Sequence, residues 1–415
     1  MRIGLYLEHG AGDGVGGAEL KMALLASVWS RDHEVDLVHH RPPLTRERLA
    51  LFSSDDYSRV NIRYVPREQP PSLPWDPVRR YTAARRWQAA ISEPYDVFVN
   101  CTHWVPCFSH ARLGILHVLF PFYEPEWRPQ LQDPALPRWR RIRQRLYYGF
   151  EWQRRLASYD HITANSEYTA RWTERRWGVP CRVVYSPVNV DFTPRPKDPL
   201  IVSVGRFSTT AHSKKQLETV RTFARLSGTR LRGWEYACVG GLNSKEENHR
   251  YFEQVRAAGR GVPATIEANV PRPRVRSLLE RARIFWHAAG YGEDPERQPQ
   301  LAEHFGVATV EAMAAGCVPV VINRGGQPEI VTHGENGFLW NTLDELADYT
   351  ERLARDLALV ERMSQAARRR AREFDRRKFV ERMSALAGID VTDWLRSPSA
   401  DAEHVREAAL AFREG

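Results

Sequence analysis

Short apolar runs alternate with longer amphipathic stretches through most of the chain. The first half opens with such a run at Arg2–Glu8, continues with a helical pattern over Gly17–Trp29, and returns to an apolar run at Glu34–His39. This alternation is typical of βαβ units and predicts a parallel sheet. Further strands are predicted at Val60–Val65, Tyr95–Asn100, Gly114–Leu119, Asp160–Ala164 and Arg182–Tyr185, with a helix that Ser166 caps and that ends at Trp177.

A proline-rich segment at residues 186–199 interrupts the pattern and predicts a linker. The alternation then restarts, with strands at Leu200–Val204, Tyr236–Val239, Thr265–Ala268, Ile284–Ala288 and Val318–Ile322 and helices at Lys214–Ser227, Lys245–Ala258, Arg274–Ala282 and Val307–Ala315. We therefore predict an α/β fold with two Rossmann-like, doubly wound domains facing a central cleft, since ligands of such sheets bind beyond the carboxyl ends of the strands. The predicted divisions are 1–192, 193–375, and C-terminal helices with a tail over 376–415.

Composition narrows the class of partner and the compartment. The 415 residues carry a net charge of +9, which favours an anionic partner and leaves open a nucleotide diphosphate, an acidic membrane or nucleic acid. The five cysteines are scattered, which argues against a disulfide framework or a zinc site and favours a reducing compartment. No apolar run is long enough for a signal peptide or a membrane span. We expect a cytoplasmic protein, with peripheral contact to the inner face of a membrane as an open alternative.

The strongest chemical signal is a pair of glutamates, Glu303 and Glu311, on either side of a loop-to-helix transition at Gly306. The free amides of Val307 and Ala308 at the start of that helix would face a bound diphosphate, with help from the helix dipole. The carboxylates could accept hydrogen bonds from hydroxyl groups on either side of the phosphates. The alternative is two solvated glutamates on a surface helix.

A second signal combines Arg206, which follows a strand, with Lys214 at the start of the next helix. Two cations at the mouth of a cleft suit a leaving diphosphate, whose negative charge grows as the glycosidic bond breaks. Lys215 is the runner-up to Lys214, because the segment 208–213 makes the register ambiguous. The alternative is that these are ordinary surface charges.

Two weaker signals lie in the first half. Gly16 and Gly17 follow the first strand and open a helix, which allows close approach to a phosphate or forms a tight turn with no ligand. His117 interrupts an apolar strand and is either functional or a satisfied core histidine. His103 is a weaker candidate of the same kind.

The segment Glu303–Gly316 resembles the E-x7-E signature of the retaining glycosyltransferases that include phosphatidylinositol mannosyltransferases, bacterial sucrose-phosphate synthases and the dolichol-linked mannosyltransferase of the endoplasmic reticulum. The similarity covers about residues 1–20, 95–123 and 160–385, including the whole of His287–Trp340. It is specific in the second domain and loose in the first. It implies the GT-B fold, with an acceptor-side N-terminal domain and a C-terminal domain that binds the nucleotide-sugar.

The resemblance also implies a role for each candidate residue. Glu303 would hold the donor sugar and Glu311 the ribose, while Arg206 and Lys214 would bind the diphosphate. His117 would lie near the reacting centre of the sugar. The remaining residues that it places at the donor are Gly16, Gly17, Val270, Phe305, Gly306, Val307 and Ala308.

Together these features predict a retaining hexosyltransferase that moves mannose or glucose from a GDP- or UDP-sugar to a glycan, lipid-linked or small-molecule acceptor, with cell-envelope polysaccharide as one setting. No cofactor and no nucleic-acid partner are expected. The chain contains no D-x-D sequence, so a metal-held diphosphate is not expected. His304 and Phe305 resemble the mannosyl-transferring branch and favour GDP-mannose.

A rival prediction comes from residues 138–155, where arginines are interleaved with aromatic residues. This segment suits a non-catalytic basic protein that docks on an anionic membrane or on nucleic acid. The interpretation that we favour for this segment is a solvated amphipathic helix covering the first domain.

Overall fold

The computed structural model describes residues 1–7, 17–40, 44–50, 55–66, 77–102, 106–121, 137–139, 142, 151–209 and 213–397. These residues form two compact units. One consists of Met1–Tyr185 together with Val380–Ala400, and the other begins at Ser186 and ends at Phe379. The sequence-based division put the first boundary at residue 192 and separated the C-terminal helices at residue 376. In the structure the chain returns to the first unit at residue 380.

The first unit is built on a parallel sheet of seven strands in the order β3-β2-β1-β4-β5-β6-β7. The central strands are buried along nearly their whole length, as expected for a parallel sheet with helices on both faces. The strand order reverses between β1 and β4, which makes this the doubly wound arrangement. The strands are β1 Arg2–Leu7, β2 Glu34–His39, β3 Asn61–Tyr64, β4 Val97–Thr102, β5 Leu113–Val118, β6 His161–Ala164 and β7 Arg182–Val183.

The helices of the first unit have recognisable local signals. Ser166 caps one of them by accepting a hydrogen bond from the Thr169 amide at 3.0 Å, an interaction worth about 1 kcal/mol. The indole of Trp29 donates to Ser384 Oγ at 2.8 Å and so attaches the returning C-terminal segment to the first helix. The described helices of this part are α1 Gly17–Trp29, α2 Arg46–Ala50, α3 Pro77–Ser92, α4 Trp152–Leu156 and α5 Glu167–Trp177.

The second unit repeats the design with a parallel sheet of six strands, in the order β10-β9-β8-β11-β12-β13. Its central strands carry large buried side chains, among them Trp286 and Phe285. The reversal of strand order falls between β8 and β11, so the carboxyl ends of these two strands define the position at which a ligand is expected. The strands are β8 Asp198–Val204, β9 Glu235–Gly240, β10 Ala264–Ala268, β11 Ala282–His287, β12 Val318–Ile322 and β13 Phe338–Trp340.

The helices of the second unit connect these strands and continue to the C-terminal side. They are α6 Gln216–Ser227, α7 Glu246–Ala258, α8 Arg272–Arg281, α9 Val307–Ala314, α10 Gln327–Ile330, α11 Leu343–Arg355 and α12 Leu357–Ala371, with 3₁₀ turns at Pro299–Leu301 and Arg372–Phe374. Two more helices follow, α13 Arg376–Ala387 and α14 Thr392–Arg396. The boundary between the units falls inside α13.

The predicted α/β fold with two doubly wound sheets is confirmed, and every predicted strand lies within two residues of an observed one wherever the structure describes it. Among the described elements, β13, α2, α3 and α10 were not predicted. The strand β13 is only three residues long, and α2 and α3 lie in polar, arginine-rich sequence without a clear apolar stripe.

Candidate functional site

In the second unit, the candidate site is built at the carboxyl ends of β8 and β11, which are paired in parallel. Arg206 follows β8 and is exposed, and its guanidinium pairs with no carboxylate among the residues that the structure describes. Its carbonyl accepts a hydrogen bond from Gln216 Nε2 at 3.0 Å, which fixes the turn. The side chain of Lys214 lies across Gly205, where a Cβ would approach Lys214 Cγ to 2.6 Å. The structure therefore places Lys214 beside the turn that presents Arg206.

Glu303 is held by two donors at one oxygen atom. Lys214 Nζ forms a short ion pair with Glu303 Oε2, and His287 Nε2, at the end of β11, lies 2.9 Å from the same oxygen. The backbone of Glu303 is fixed as well, because its carbonyl accepts the amide of Gly326 at 2.8 Å. Gly325 beside it has φ +63°, and a Cβ there would lie 2.2 Å from the Glu303 carbonyl oxygen.

The electrostatics of this group favour an ionised carboxylate. Burial alone would raise the pKa of Glu303, but the charge of Lys214 and the hydrogen bond from His287 outweigh burial and hold that pKa well below its usual range. Burial lowers the pKa of His287, although Glu303 opposes the shift. The group therefore consists of an ionised Glu303, a Lys214 ammonium and a neutral His287.

Lys215 has a different partner from its neighbour. It occupies the left-handed region with φ +54° at the start of α6, a conformation that is uncommon for a residue with a Cβ. Its ammonium pairs with Glu293, which lies in the segment between β11 and the helix that follows. The two adjacent lysines thus diverge, and Lys214 is the one that reaches Glu303.

The second signature glutamate lies inside α9. Gly306 precedes this helix with φ +120°, and a Cβ there would meet Gln327 Nε2 at 2.3 Å, so only glycine fits without displacement. The first-turn amides of Val307 and Ala308 have no acceptor within the helix. Glu311 is buried, with 7% of its side chain exposed, and forms an ion pair with Arg272, whose side chain is 63% exposed.

The two remaining donor-site candidates of this unit lie near these elements. The ring of Phe305 is buried against that of Phe374, with centroids 5.4 Å apart. Val270 is half-buried between β10 and α8 and follows Asn269, which has φ +56°.

The first unit contains a separate cluster of buried polar side chains near the carboxyl ends of β4 and β5. His117 is fully buried, and its Nδ1 lies 2.9 Å from Thr163 Oγ1. Burial and the nearby charge of Lys21 hold the pKa of His117 well below its usual range. Lys21 itself is buried on α1, and burial lowers its pKa to about 8 although Cys101 and Glu19 oppose the shift.

Some predicted residues lie outside the described part of the chain. Gly17 begins α1, but Gly16 and His103 are not among the described residues, and neither is most of 138–155. Within the described residues no group of three or more histidines, cysteines, aspartates or glutamates is arranged to hold a metal ion. No helix in this part of the chain is long and apolar enough to cross a membrane.

Two family models match the chain in succession. Residues 15–192 match the model of glycosyltransferase family 4, and residues 189–370 match that of the glycosyl transferases group 1. The second match includes the whole Lys214–Glu303–Glu311 site. The chain belongs to the group 1 GT-B glycosyltransferases.

Relatives of this glycosyltransferase include mannosyltransferases. The chain is 26% identical over 192 residues to the GDP-Man:Man(3)GlcNAc(2)-PP-Dol alpha-1,2-mannosyltransferase of Dictyostelium discoideum, which covers 42% of this chain and 36% of that protein. It is 27% identical over 219 residues to the Homo sapiens protein of the same name, covering 48% of this chain and 42% of the relative. The chain thus matches less than half the length of these relatives.

Solved structures agree on the fold. The crystal structure of Anabaena HepE in complex with UDP and glucose superposes with a TM-score of 0.62 at 15% identity, over 94% of this chain and 99% of that one. The sucrose-phosphate synthase of Thermosynechococcus elongatus gives a TM-score of 0.64 at 16% identity, over 93% and 98% of the two chains. Both comparisons place this glycosyltransferase in the GT-B fold.

Sequence reasoning missed four groups that the structure brings into these sites: His287, Glu293, Arg272 and Lys21. A histidine at the end of an apolar strand was the one available signal for His287. The ion pairs of Arg272 and Glu293 join positions 39 and 78 residues apart, so no spacing rule could have found them.

Proposed function

We propose that this glycosyltransferase is a retaining, metal-independent hexosyltransferase that takes mannose or glucose from a GDP- or UDP-sugar and transfers it to a glycan or lipid-linked acceptor. The observation that carries the proposal is the ionised Glu303, held by Lys214 and His287 at the carboxyl end of the second sheet. A fixed carboxylate that accepts hydrogen bonds suits the hydroxyl groups of a sugar.

The surrounding groups supply complementary charge for a nucleoside diphosphate. Arg206 is exposed and unpaired among the described residues, and the first amides of α9 are available at the helix N-terminus. Glu311, one helical turn further, is suited to accept hydrogen bonds from ribose hydroxyls once the Arg272 side chain leaves its ion pair with this carboxylate. Cations and amides would stabilise the charge on the leaving phosphate and so take the place of a metal ion.

The proposed transfer balances without an enzymic nucleophile. The bond between the sugar C1 and the phosphate oxygen breaks, and a bond from the acceptor oxygen to C1 forms on the same face. The departing phosphate oxygen takes the acceptor proton. The charge that develops on the diphosphate is the one that Arg206 and Lys214 would stabilise.

The names of the relatives support the choice of donor. The Dictyostelium and human relatives are named for transfer from GDP-Man to a dolichol-linked oligosaccharide, and HepE was crystallised with UDP-glucose. We favour GDP-mannose first and UDP-glucose second. The basic segment 138–155 keeps peripheral membrane contact as a prediction, in line with a lipid-linked acceptor and a cytoplasmic location.

A panel of GDP-, UDP- and ADP-sugars tests the proposal by thermal shift and donor hydrolysis, with and without EDTA. One nucleotide-sugar should stabilise the wild type and not Glu311→Ala, while Glu247→Gln, an exposed change on α7, should behave as wild type. EDTA should have no effect, and the anomeric configuration of the product should match that of the donor. No stabilisation or hydrolysis with any donor would overturn the proposed donor site.

A further inference from the structure

His287 is a buried histidine at the last position of β11, with 3% of its side chain exposed. Strand pairing sets its backbone in register with Val321 of β12, so its position is fixed by the sheet and not by a loop. An apolar side chain could fill this buried position without the free-energy cost of desolvating a polar group. Placing an imidazole here costs free energy unless its nitrogen atoms are bonded.

Only one of the two nitrogen atoms has a partner. Nε2 lies 2.9 Å from Glu303 Oε2, while Nδ1 is buried and has no hydrogen-bond partner among the residues that the structure describes. A neutral imidazole with its proton on Nε2 fits this pattern, because the carboxylate can only accept. Leaving Nδ1 unpaired costs free energy, which the bond from Nε2 to a charged carboxylate offsets.

Both donors to Glu303 meet the same oxygen atom. Lys214 and His287 approach Oε2, and no described contact involves Oε1. A carboxylate held by a lysine alone could rotate about its last torsion, since an ammonium is a point charge on a flexible stem. A second donor on a rigid strand removes that freedom and leaves Oε1 in a defined direction.

We propose that His287 is a positioning residue that, through its Nε2–H, fixes the Glu303 carboxylate so that Oε1 accepts from the hydroxyl groups of the donor hexose. This inference rests on the proposed function, because it assigns the sugar to Glu303. His287 does not touch the reacting atoms. It acts on the orientation of Glu303, and through it on the recognition of the sugar as distinct from the nucleotide.

Three substitutions distinguish the positioning of Glu303 by His287 from a role of His287 in packing alone. His287→Gln places an N–H near the position of Nε2, His287→Asn places it near Nδ1 instead, and His287→Leu removes it. Calorimetry then compares the affinity for the nucleotide-sugar with that for the matching nucleoside diphosphate. Transfer kinetics give kcat and KM for the same donor, and thermal denaturation reports on the fold.

The Asn and Leu variants should lose about 10- to 100-fold in affinity for the nucleotide-sugar, the value of a hydrogen bond to a charged group, and keep their affinity for the diphosphate. The Gln variant should recover most of that loss. Glu247→Gln serves as the exposed control.

The outcomes separate the two proposals. If the wild type neither binds nor turns over any nucleotide-sugar, the proposed function is overturned, and this inference with it. In a second outcome the wild type transfers sugar, and the His287→Asn and His287→Leu variants prefer the nucleotide-sugar over the nucleoside diphosphate by the same factor as the wild type. Only the inference is then overturned. Equal losses for sugar and diphosphate, or a Gln variant no better than Leu, would also overturn it and leave His287 as a packing residue.

Discussion

Replacing Lys21 by methionine should stabilise the first unit. Lys21 lies on α1 with 4% of its surface exposed, and burial lowers its pKa from 10.5 to about 8 despite the opposing charge of Glu19. At about 1.36 kcal/mol per pH unit, this difference corresponds to about 3 kcal/mol by which folding disfavours the ammonium at pH 7. Methionine has a similar length and no charge, so it fills the same space without that cost.

The stability difference between Lys21→Met and the wild type depends on pH, because proton binding by Lys21 is linked to folding. Because the pKa is lower in the folded state, the penalty is complete below about pH 8, where both states hold the proton. Between about 8 and 10.5 the folded protein releases the proton and the unfolded chain keeps it, so the wild type gains stability relative to the variant. The advantage of Lys21→Met should fall to about 2 kcal/mol at pH 9 and vanish at higher pH.

Two measurements check this prediction. The chain has six lysines, Lys21, Lys197, Lys214, Lys215, Lys245 and Lys378, so spectra of protein labelled with ¹³Cε-lysine should resolve one resonance that titrates near pH 8. That resonance should be absent from Lys21→Met. Pulse proteolysis in urea at pH 7 and pH 9 gives the stability difference, with Lys245→Met, an exposed position, as the control. A Lys21 pKa near 10.5, or a methionine variant less stable than the wild type at pH 7, would refute the reasoning.

Three further substitutions have expected outcomes. Gly306→Ala should destabilise the protein by about 1–3 kcal/mol in urea denaturation, because φ is +120° and the new methyl group would lie 2.3 Å from a neighbouring side-chain atom. Arg272→Gln should tighten nucleoside-diphosphate binding by a few-fold in calorimetry, since it frees the buried Glu311 carboxylate from its ion pair with a largely exposed guanidinium; weaker binding would mean that Arg272 contacts the nucleotide. Ser384→Ala should cost about 1 kcal/mol through the lost bond to Trp29 and leave nucleotide affinity unchanged.

The fold was predictable because its signals are local. The strands of both sheets are short apolar runs between helices, and the Ser166 cap and the Gly306 turn each lie within three residues of what they stabilise. Parallel strands need buried apolar positions on both faces, so their sequence differs sharply from that of the helices between them. The same reasoning missed α3 because that helix lacks a clear apolar stripe.

The arrangement of the site depends on long-range geometry, which spacing does not encode. The sequence ranks Lys214 above Lys215 but leaves the register ambiguous, whereas in the structure Lys214 pairs with Glu303 and Lys215, with its left-handed backbone, pairs with Glu293. Where the chain returns to the first unit, a hydrogen bond joins residues 355 positions apart. Residue types at the site could be predicted from the signature, but their pairing could not.

The ion pair between Lys214 and Glu303 bears on how a diphosphate would bind. An ammonium has three N–H donors, and the described contacts give Lys214 one partner, Glu303. The remaining donors are free to meet phosphate oxygens without breaking the bond to the carboxylate. One lysine can therefore hold the group proposed to bind the sugar and the group proposed to leave, and it links the position of C1 to that of the phosphate. This shared ammonium, with Arg206 beside it, is the physical basis for proposing transfer without a metal ion.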